Sequence, residues 1–326
     1  MITEEEIQRK TSVISKYLED EGITIDHVEV ITGPSVSLYK VFVKQGPKPS
    51  KVRNVQDVHA WNLGLKGARV ISMEGVIGIE VANDEAEVVY LQSAMDSMGE
   101  AMEGMELPIV LGYSAATQRF ELLDLKNALH LLVSGMTKQG VTDFLLSAAQ
   151  SLLEVKKDNI DLYICDPKGA LGSLYPKANA VCKTLQDTEI VMSQLCAEME
   201  RRLETALRQP NIVVVIGELA ELTVPLGPKD RKALSKSIYT LIIRLAQQGQ
   251  TGIHLIAATQ RPMPEVLTGL LKSNFPTRIA FRTASKMESK LILDYPGAEA
   301  LVGNGDMLFS CGGKCRRIQA CICDEA

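Results

Sequence analysis

The sequence predicts an α/β protein with a mostly parallel sheet and a phosphate-binding loop. From about residue 106, short and continuously apolar segments alternate with long amphipathic ones, which is typical of parallel strands covered by helices on both faces. A glycine-bounded loop, G-M-T-K-Q-G-V-T at residues 135–142, follows one apolar segment and precedes an amphipathic one. With 326 residues, 46% of them hydrophobic, the chain is long enough for two domains with their own cores.

Residues 1–105 form the smaller predicted domain, a compact α/β unit. Thr3 followed by Glu6 resembles a capping box and predicts that a helix begins there. The K-Q-G-P-K-P-S stretch at 44–50 predicts a turn or short linker. The other predicted elements are helices over 3–20 and 83–101 and strands over 28–31, 36–43 and 76–81.

Residues 106–326 form the larger predicted domain, in which strands and helices alternate. The strands are predicted over 129–134, 161–165, 211–216, 252–258, 278–283 and 307–310, and two long helices over 184–207 and 229–248. The glycine-bounded loop follows the first of these strands and opens a helix. Such a loop lies at the carboxyl edge of a parallel sheet, where ligands bind in these folds.

Composition favours a cytoplasmic protein with no membrane segment. The amino terminus is acidic, no run of about 18 apolar residues occurs, and seven cysteines without a secretory signal suggest reduced thiols. Cys311, Cys315, Cys321 and Cys323 have the spacing C-x3-C-x5-C-x-C. The second spacing is too short for the usual pair of zinc-binding C-x2–4-C motifs, so we expect no zinc site.

One stretch is basic although the chain has a net charge of −5. Arg282, Lys286 and Lys290 are spaced i, i+4 and i+8, which places them on one face if the segment is helical. They are our candidate contacts to the DNA backbone. The alternative is an ordinary solvated face.

The glycine-bounded loop lacks the lysine of a complete phosphate loop. Val141 stands where G-x-x-x-x-G-K-[S/T] has lysine, whereas Thr142 keeps the hydroxyl position. That lysine would meet the β- and γ-phosphates. Lys138, within the loop, either replaces it or points into solvent.

Segments throughout the chain resemble the FtsK/SpoIIIE family of ring-shaped DNA translocases. The larger domain resembles it densely and the smaller one more loosely. The segments are G-P-S-V-S-L-Y (33–39), G-V-I-G-I-E-V-A-N (75–83), L-H-L-L-V-S-G (129–135), I-D-L-Y-I-C-D-P-K (160–168), E-M-E-R-R (198–202), I-H-L-I-A-A-T-Q-R-P (253–262), N-F-P-T-R-I-A-F (274–281) and G-A-E-A-L-V-G-N-G-D-M-L-F (297–309).

The resemblance implies a RecA-like P-loop NTPase domain preceded by an FtsK α-type domain, without membrane anchor or winged-helix γ domain. It implies ATP and Mg²⁺ as ligands if nucleotide binding is retained, with Thr142 on the metal. Gly217 replaces the family's Walker B aspartate, and Glu218 keeps the place of the catalytic glutamate. Gln260 is sensor-like, and Arg278 is a candidate arginine finger toward a neighbouring subunit. The nucleotide-binding residues would be Gly135, Met136, Thr137, Lys138, Gln139, Gly140, Val141 and Thr142.

The resemblance therefore implies a motor core on double-stranded DNA, in a homo-hexamer or in a mixed ring with an active paralogue, as in chromosome partition. The lost lysine and aspartate predict that ATP hydrolysis is weak or absent. Two alternatives stay open. One is a pseudo-ATPase that binds a protein or peptide, or regulates an active motor. The other is an active ATPase that relies on Lys138 and Glu218.

Overall fold

The computed structural model describes residues 2–44, 64–73 and 76–324, and it contains two β-sheets. One sheet has four strands and belongs to the amino-terminal part of the chain, whereas the other has ten strands. Within the described residues, no helix is long and apolar enough to cross a membrane.

The four-stranded sheet is antiparallel, has the order β1-β2-β4-β3, and packs against one helix. That helix begins after Thr3, whose hydroxyl accepts a hydrogen bond from Glu6 N at 3.2 Å, so the predicted helix start is confirmed. The predicted turn at 44–50 lies outside the described residues except for Lys44. The elements are α1 (Glu4–Asp20), β1 (Ile25–Ile31), β2 (Val36–Val43), β3 (Arg69–Met73) and β4 (Val76–Ala82).

The next helix, α2 (Leu91–Glu103), starts later than the sequence predicts. The prediction of a helix from residue 83 is wrong because the segment before Leu91 is extended, and Leu91 N donates to Ile322 O at 2.8 Å. Ala94 and Met102 of α2 pack beside Val110 of the larger sheet. The predicted domain division between residues 105 and 106 stays a prediction.

The ten-stranded sheet has the order β6-β5-β14-β13-β12-β7-β11-β10-β8-β9. Its central part, from β12 to β9, is parallel, and β13, β14, β5 and β6 extend it with antiparallel pairings. Its strands are β5 (Pro108–Ser114), β6 (Arg119–Asp124), β7 (His130–Ser134), β8 (Ile160–Cys165), β9 (Ala180–Cys182), β10 (Asn211–Ile216), β11 (Ile253–Thr259), β12 (Thr277–Phe281), β13 (Asp306–Cys311) and β14 (Lys314–Ala320).

Helices cover both faces of this sheet, which confirms the predicted α/β class with a mostly parallel sheet. Leu131 and Val213 face α4, whereas Leu132 and Val214 face α5 and α7. Every residue of β7 and β10 is buried, as expected for central parallel strands. The helices are α3 (Leu125–Ala128), α4 (Val141–Lys156), α5 (Leu185–Thr205), α6 (Leu219–Thr223), α7 (Lys229–Ala246), α8 (Gly269–Asn274) and α9 (Lys286–Leu293).

The small sheet is fastened to the carboxyl-terminal hairpin of the large one by buried polar contacts. Arg317 on β14 forms an ion pair with Asp306 on β13 and donates from Nη1 to Gly67 O at 2.7 Å. Ser35 donates to Gln319 Oε1 at 2.6 Å. The turn that precedes β13 lies against the glycine-bounded loop, so this hairpin touches both the small sheet and the candidate site.

Candidate nucleotide site

The candidate site lies at the carboxyl edge of the central strands. In the parallel register, Thr259 at the end of β11 pairs with Ser134 at the end of β7. Ile216 at the end of β10 pairs with Cys165 at the end of β8. The Ser134 hydroxyl donates to Thr259 O at 2.9 Å and ties the two inner strand ends together. The loop after β7 and the residues after β8, β10 and β11 therefore share one edge.

The loop at 135–142 has a defined backbone supported from two sides. Met136 N donates to Arg282 O at 2.9 Å, and Gly305 N donates to Gln139 O at 3.1 Å. Gly140 has a φ of 114°, and a Cβ placed on it would lie 2.9 Å from Phe281 Cε1. Only glycine suits that position, because both the dihedral angle and the space exclude a side chain.

The peptide groups of this loop point to a preserved anion-binding arrangement. Among the described residues, none accepts a hydrogen bond from the backbone N–H groups of residues 137–143, which run from the loop into the first turn of α4. Helix α4 has 16 residues, so its positive end adds to these unbonded donors. The backbone that would hold phosphates is present although the lysine is not.

The positions that would carry charge on this loop are apolar or point outward. Val141 is only 2% exposed and packs with Phe144 and Phe281 in the core beneath the loop. Lys138 is exposed at a φ of 62°, and its side chain has no hydrogen bond or ion pair with any residue that the structure describes. Thr142 is half-buried at the start of α4.

Glu218, after β10, is buried and fully bonded. Its Oε1 accepts from Thr259 Oγ1 at 2.6 Å, and its Oε2 accepts from Lys168 Nζ at 2.7 Å. Gln260 N donates to both oxygens, at 3.3 and 3.2 Å. Ala220 N donates to Oε1 at 3.3 Å, which makes Glu218 the cap of α6. The carboxylate is 1% exposed, so in this arrangement it is a structural hub rather than a base open to water.

Gly217 leaves a space beside another carboxylate. A Cβ placed on Gly217 would lie 3.4 Å from Asp166 Oδ1. Asp166 is 1% exposed, and its Oδ2 accepts from Leu171 N and from the Tyr175 hydroxyl, both at 2.7 Å. Burial and the bond to Asp166 raise the pKa of Tyr175 to about 12. Asp166 Oδ2 is thus committed to the loop after β8, whereas Oδ1 faces the position of Gly217.

The residues present fit nucleotide phosphates better than they fit the metal. The loop offers unbonded N–H donors, but Thr142 is the one candidate for Mg²⁺ that the sequence identifies, and Gly217 brings no carboxylate. Glu218 is occupied by Lys168 and its other donors. When bound, ATP with Mg²⁺ would supply a phosphoryl group activated for transfer. Loop residues 135–142 would hold its phosphates.

The two other predicted catalytic residues differ in their placement. Gln260 lies at the site through its backbone, which contacts Glu218, and its side chain is half-exposed. Arg278 is near the amino end of β12, only 13% exposed, and donates to Phe275 O at 2.8 Å and to Asp294. It also donates to Lys272 O at 2.9 Å. The guanidinium is therefore occupied within its own chain, which argues against the trans-acting role we predicted.

The three predicted DNA-contacting residues do not form a single helical face. Lys286 and Lys290 lie on α9, one turn apart, but Arg282 precedes the helix and its cap, Ser285. Arg282 follows β12 beside the loop, because its carbonyl bonds Met136 N. Arg282 lies just after β12, within the strand predicted over 278–283, and a short helix follows, so the condition for one shared helical face is not met. All three side chains are exposed.

The cysteines at the carboxyl terminus occupy different environments. Cys311 is exposed at the end of β13, whereas Cys315 on β14 accepts a hydrogen bond from Arg69 Nη2 at 3.3 Å. Cys321 is buried beside α2, and burial raises its pKa to about 12. The described residues contain no group of three or more potential metal-binding His, Cys, Asp or Glu side chains. The expectation of no zinc stays a prediction.

Two family models match this chain in succession, the FtsK alpha domain over residues 1–83 and the FtsK/SpoIIIE family over residues 90–209. The chain belongs to the FtsK/SpoIIIE family. The DNA translocase FtsK of Chlamydia muridarum is 30% identical over 98% of this chain and 44% of its own length. That of Campylobacter jejuni is 33% identical over 95% and 35%. The chain thus spans less than half the length of these relatives.

Solved structures share this fold at lower identity. The pCW3 conjugation coupling protein TcpA, a monomer form with ATPγS, has a TM-score of 0.67 at 22% identity, covering 97% of this chain and 96% of its own. The cytoplasmic domain of the type VII secretion ATPase EccC of Thermomonospora curvata has a TM-score of 0.55 at 20% identity, covering 67% and 29%. These likenesses support the P-loop NTPase fold of the large sheet.

The sequence missed three parts of this site. Lys168 is the lysine of a recognisable D-P-K at 166–168, but nothing in the spacing shows that it reaches Glu218 across β8 and β10. The turn around Gly303 and Gly305 supports the loop although it lies far away in sequence. Asp166 belongs to the same D-P-K, but its bonds to Leu171 and Tyr175 have no signal in the sequence. Each of these residues lies in a motif that the sequence shows, but its contact partner depends on which strands are neighbours in the sheet.

Proposed function

We propose that this chain is an FtsK-type motor core that binds double-stranded DNA within a ring and hydrolyses ATP weakly or not at all. Membership of the FtsK/SpoIIIE family and the DNA translocases among its relatives support the DNA-related part. The smaller domain would comprise residues 1–105 and the ATPase-like domain residues 106–326. The ring would be a homo-hexamer or a mixed ring with an active paralogue, in the cytoplasm, and chromosome partition is the process that the family implies.

The proposal of weak hydrolysis rests on one contrast at the site: the loop keeps its backbone donors, but the lysine and the carboxylate are missing. Its N–H groups at 137–143 are unbonded among the described residues, yet Val141 is buried in the core and Gly217 offers no carboxylate. Removing one preorganised donor from a developing anion slows a reaction by on the order of 10²–10³. Both losses affect one charge network, so their effects need not add. Binding can therefore survive where turnover does not.

Turnover of ATP by the purified chain tests this directly. We expect ATP binding in the presence of Mg²⁺, measured by isothermal titration calorimetry, with phosphate release at background with and without duplex DNA. A Gly140→Ala variant, which fills the space against Phe281 and Gly305, should lose the binding. DNA-stimulated phosphate release above background would contradict the proposal and favour an active ATPase that relies on Lys138 and Glu218.

DNA binding is tested through its salt dependence. The exposed Arg282, Lys286 and Lys290 are the proposed backbone contacts. A substitution that removes one contact to a phosphate should lower the slope of log K against log salt by about 0.9. We expect that change for Arg282→Ala and for Lys290→Ala in fluorescence anisotropy with a duplex oligonucleotide. Lys16→Ala, an exposed lysine on α1, serves as the control. Equal effects from Lys16→Ala would contradict the assignment.

A second candidate function is a pseudo-ATPase subunit that binds a protein or peptide. The observation that favours it is Met136, which is 39% exposed on the loop. An exposed thioether on this loop suits an apolar contact rather than a phosphate. Under this function, Met136→Ser would weaken association with an active FtsK-type partner in co-sedimentation but leave DNA affinity unchanged. An unchanged association would remove this candidate.

A further inference from the structure

Glu218 accepts hydrogen bonds from donors at the ends of two neighbouring strands. Lys168 follows β8, Glu218 itself follows β10, and Thr259 and Gln260 end β11 and follow it. The ammonium of Lys168, the hydroxyl of Thr259 and the amide of Gln260 all lie 2.6–3.3 Å from the carboxylate. A cation, a hydroxyl and an amide around one anion are also the donors that bind a phosphate oxygen.

We propose that Lys168 is the cation for the terminal phosphate of a nucleoside triphosphate in this chain, and that Glu218 occupies it until that phosphate arrives. This inference rests on the proposed function insofar as loop 135–142 is taken as the nucleotide site. It assigns to Lys168 the positive charge that a lysine at position 141 would supply and that Val141 lacks. In the absence of nucleotide, Glu218 then takes the place of the phosphate as the acceptor for Lys168.

The position of Lys168 supports this role better than that of Lys138. Lys168 is on the same carboxyl edge as the loop, and its partner Glu218 is bonded to Gln260 and Thr259, at the end of the strand next to β7. Its side chain bonds Glu218 and is 34% exposed, so Lys168 is only partly enclosed by the chain. Lys138 is exposed with no described partner that fixes its direction.

Glu218 keeps other hydrogen bonds when Lys168 moves away from it. Its Oε1 accepts from Ala220 N as the cap of α6, a bond that does not involve Lys168. A terminal phosphate brings more negative charge and more acceptor oxygens than one carboxylate, so it competes well for an ammonium. A nucleoside diphosphate lacks that phosphate and leaves the Lys168–Glu218 pair intact. The arrangement therefore predicts discrimination between tri- and diphosphates.

The test measures affinity for a non-hydrolysable ATP analogue and for ADP, each with Mg²⁺, by isothermal titration calorimetry. Lys168→Met keeps the length of the side chain without its charge. We expect it to weaken analogue binding by about tenfold or more and to leave ADP binding within about twofold. Lys168→Arg should retain most of the discrimination. Lys183→Met is the matched control, because Lys183 is exposed directly after β9 at the same edge.

Glu218→Gln supplies a test of opposite sign. If the carboxylate competes with phosphate for Lys168, its neutral counterpart should bind the analogue several-fold more tightly than the parent chain, with ADP affinity unchanged. If Glu218 only maintains the fold, Glu218→Gln should weaken the binding of both nucleotides. Equal losses for analogue and ADP in Lys168→Met, or a specific loss in Lys138→Met instead, would overturn the assignment. Thermal unfolding of each variant verifies that it is folded.

Failure of this inference is separable from failure of the proposed function. If the parent chain binds neither nucleotide, the role of Lys168 is overturned. Duplex binding by the same preparation, measured by anisotropy, would still support the DNA-binding core. Conversely, analogue-selective binding without any affinity for duplex DNA would support Lys168 and contradict the DNA function.

Discussion

The ends of β7 and β10 have departed from the family pattern in opposite ways. After β7 the backbone that receives phosphate is preserved, and the charge is gone, because Val141 faces the core. After β10 the charge is preserved in Glu218, and it is saturated by internal donors. A glycine-bounded loop can thus keep its backbone without the lysine. A buried carboxylate can be retained because neighbouring strand ends depend on it.

The largest expected effect comes from restoring both lost charges. The double variant Val141→Lys/Gly217→Asp should gain ATP turnover by on the order of 10²–10³ over the parent chain, because a loop donor and a carboxylate for the metal shell return together. Phosphate release with Mg²⁺ and duplex DNA is the measurement, and the same variant with Glu218→Gln is the control. Turnover that stays at background would show that the hydrogen bonds of Glu218 within the chain still prevent hydrolysis.

The second prediction concerns Glu218 as a hub. Glu218→Ala should lower the free energy of unfolding by about 2–4 kcal/mol, because Thr259, Gln260 and the partly buried Lys168 lose a shared acceptor. Glu218→Gln, which keeps an acceptor oxygen, should lower it by less. Urea unfolding of the two variants provides the comparison. Equal and small changes would mean that the carboxylate is dispensable for the fold.

The third prediction compares these charged strand ends with the amino ends of β7 and β11, where His130 and His254 are buried. Burial, together with the neighbouring His254, lowers the pKa of His130 to about 3, and burial lowers the pKa of His254. Their Nε2 atoms have no hydrogen-bond partner among the described residues. Both rings are therefore neutral in the folded chain at neutral pH.

Protonation of these histidines should destabilise the fold in acid. The unfolded chain binds protons near pH 6.5, so the contribution of neutral His130 to stability is present above that pH and is lost as the pH falls toward 3, and the lowered pKa of His254 acts in the same direction. The slope from His130 is about 1.4 kcal/mol per pH unit within that window. Urea unfolding between about pH 7 and pH 5 measures it, and His130→Leu should flatten it. An unchanged slope in that variant would contradict the buried neutral state.

The sequence predicted the strands of the parallel part well because their residues are continuously apolar. The predicted strand over 211–216 is observed as Asn211–Ile216, and β8 differs from its prediction by one residue. The sequence missed β6, β9 and β14, because short or half-exposed strands at the flanks lack that signal, and it also missed β5, although nearly all of its residues are buried. It also missed the role of Arg202, which is 1% exposed and donates to the carbonyls of Pro210 and Thr251.

The candidate site was predictable as a set of motifs but not as a set of contacts. The loop was predicted from its glycines after an apolar strand, whereas Gly217 and Glu218 were assigned through the resemblance to the FtsK/SpoIIIE family. Whether Glu218 is open to water depends on Lys168, which follows another strand, and no local pattern shows that pairing. Arg282 and Lys286 have a spacing that would place them on one face of a helix, but the chain leaves β12 and is capped at Ser285 before α9 begins.

The smallest predicted effect concerns Gly217 alone. Gly217→Asp should destabilise the chain by about 1 kcal/mol more than Gly217→Ala, because its carboxylate would stand beside Asp166, whose Oδ1 is 3.4 Å from the Cβ position. The alanine makes an ordinary contact there and isolates the charge. Urea unfolding of both variants measures the difference, and adding Val141→Lys should remove it if the lysine reaches position 217. A difference that persists would mean that the lost lysine and aspartate positions no longer face one another, so the two strand ends diverged independently.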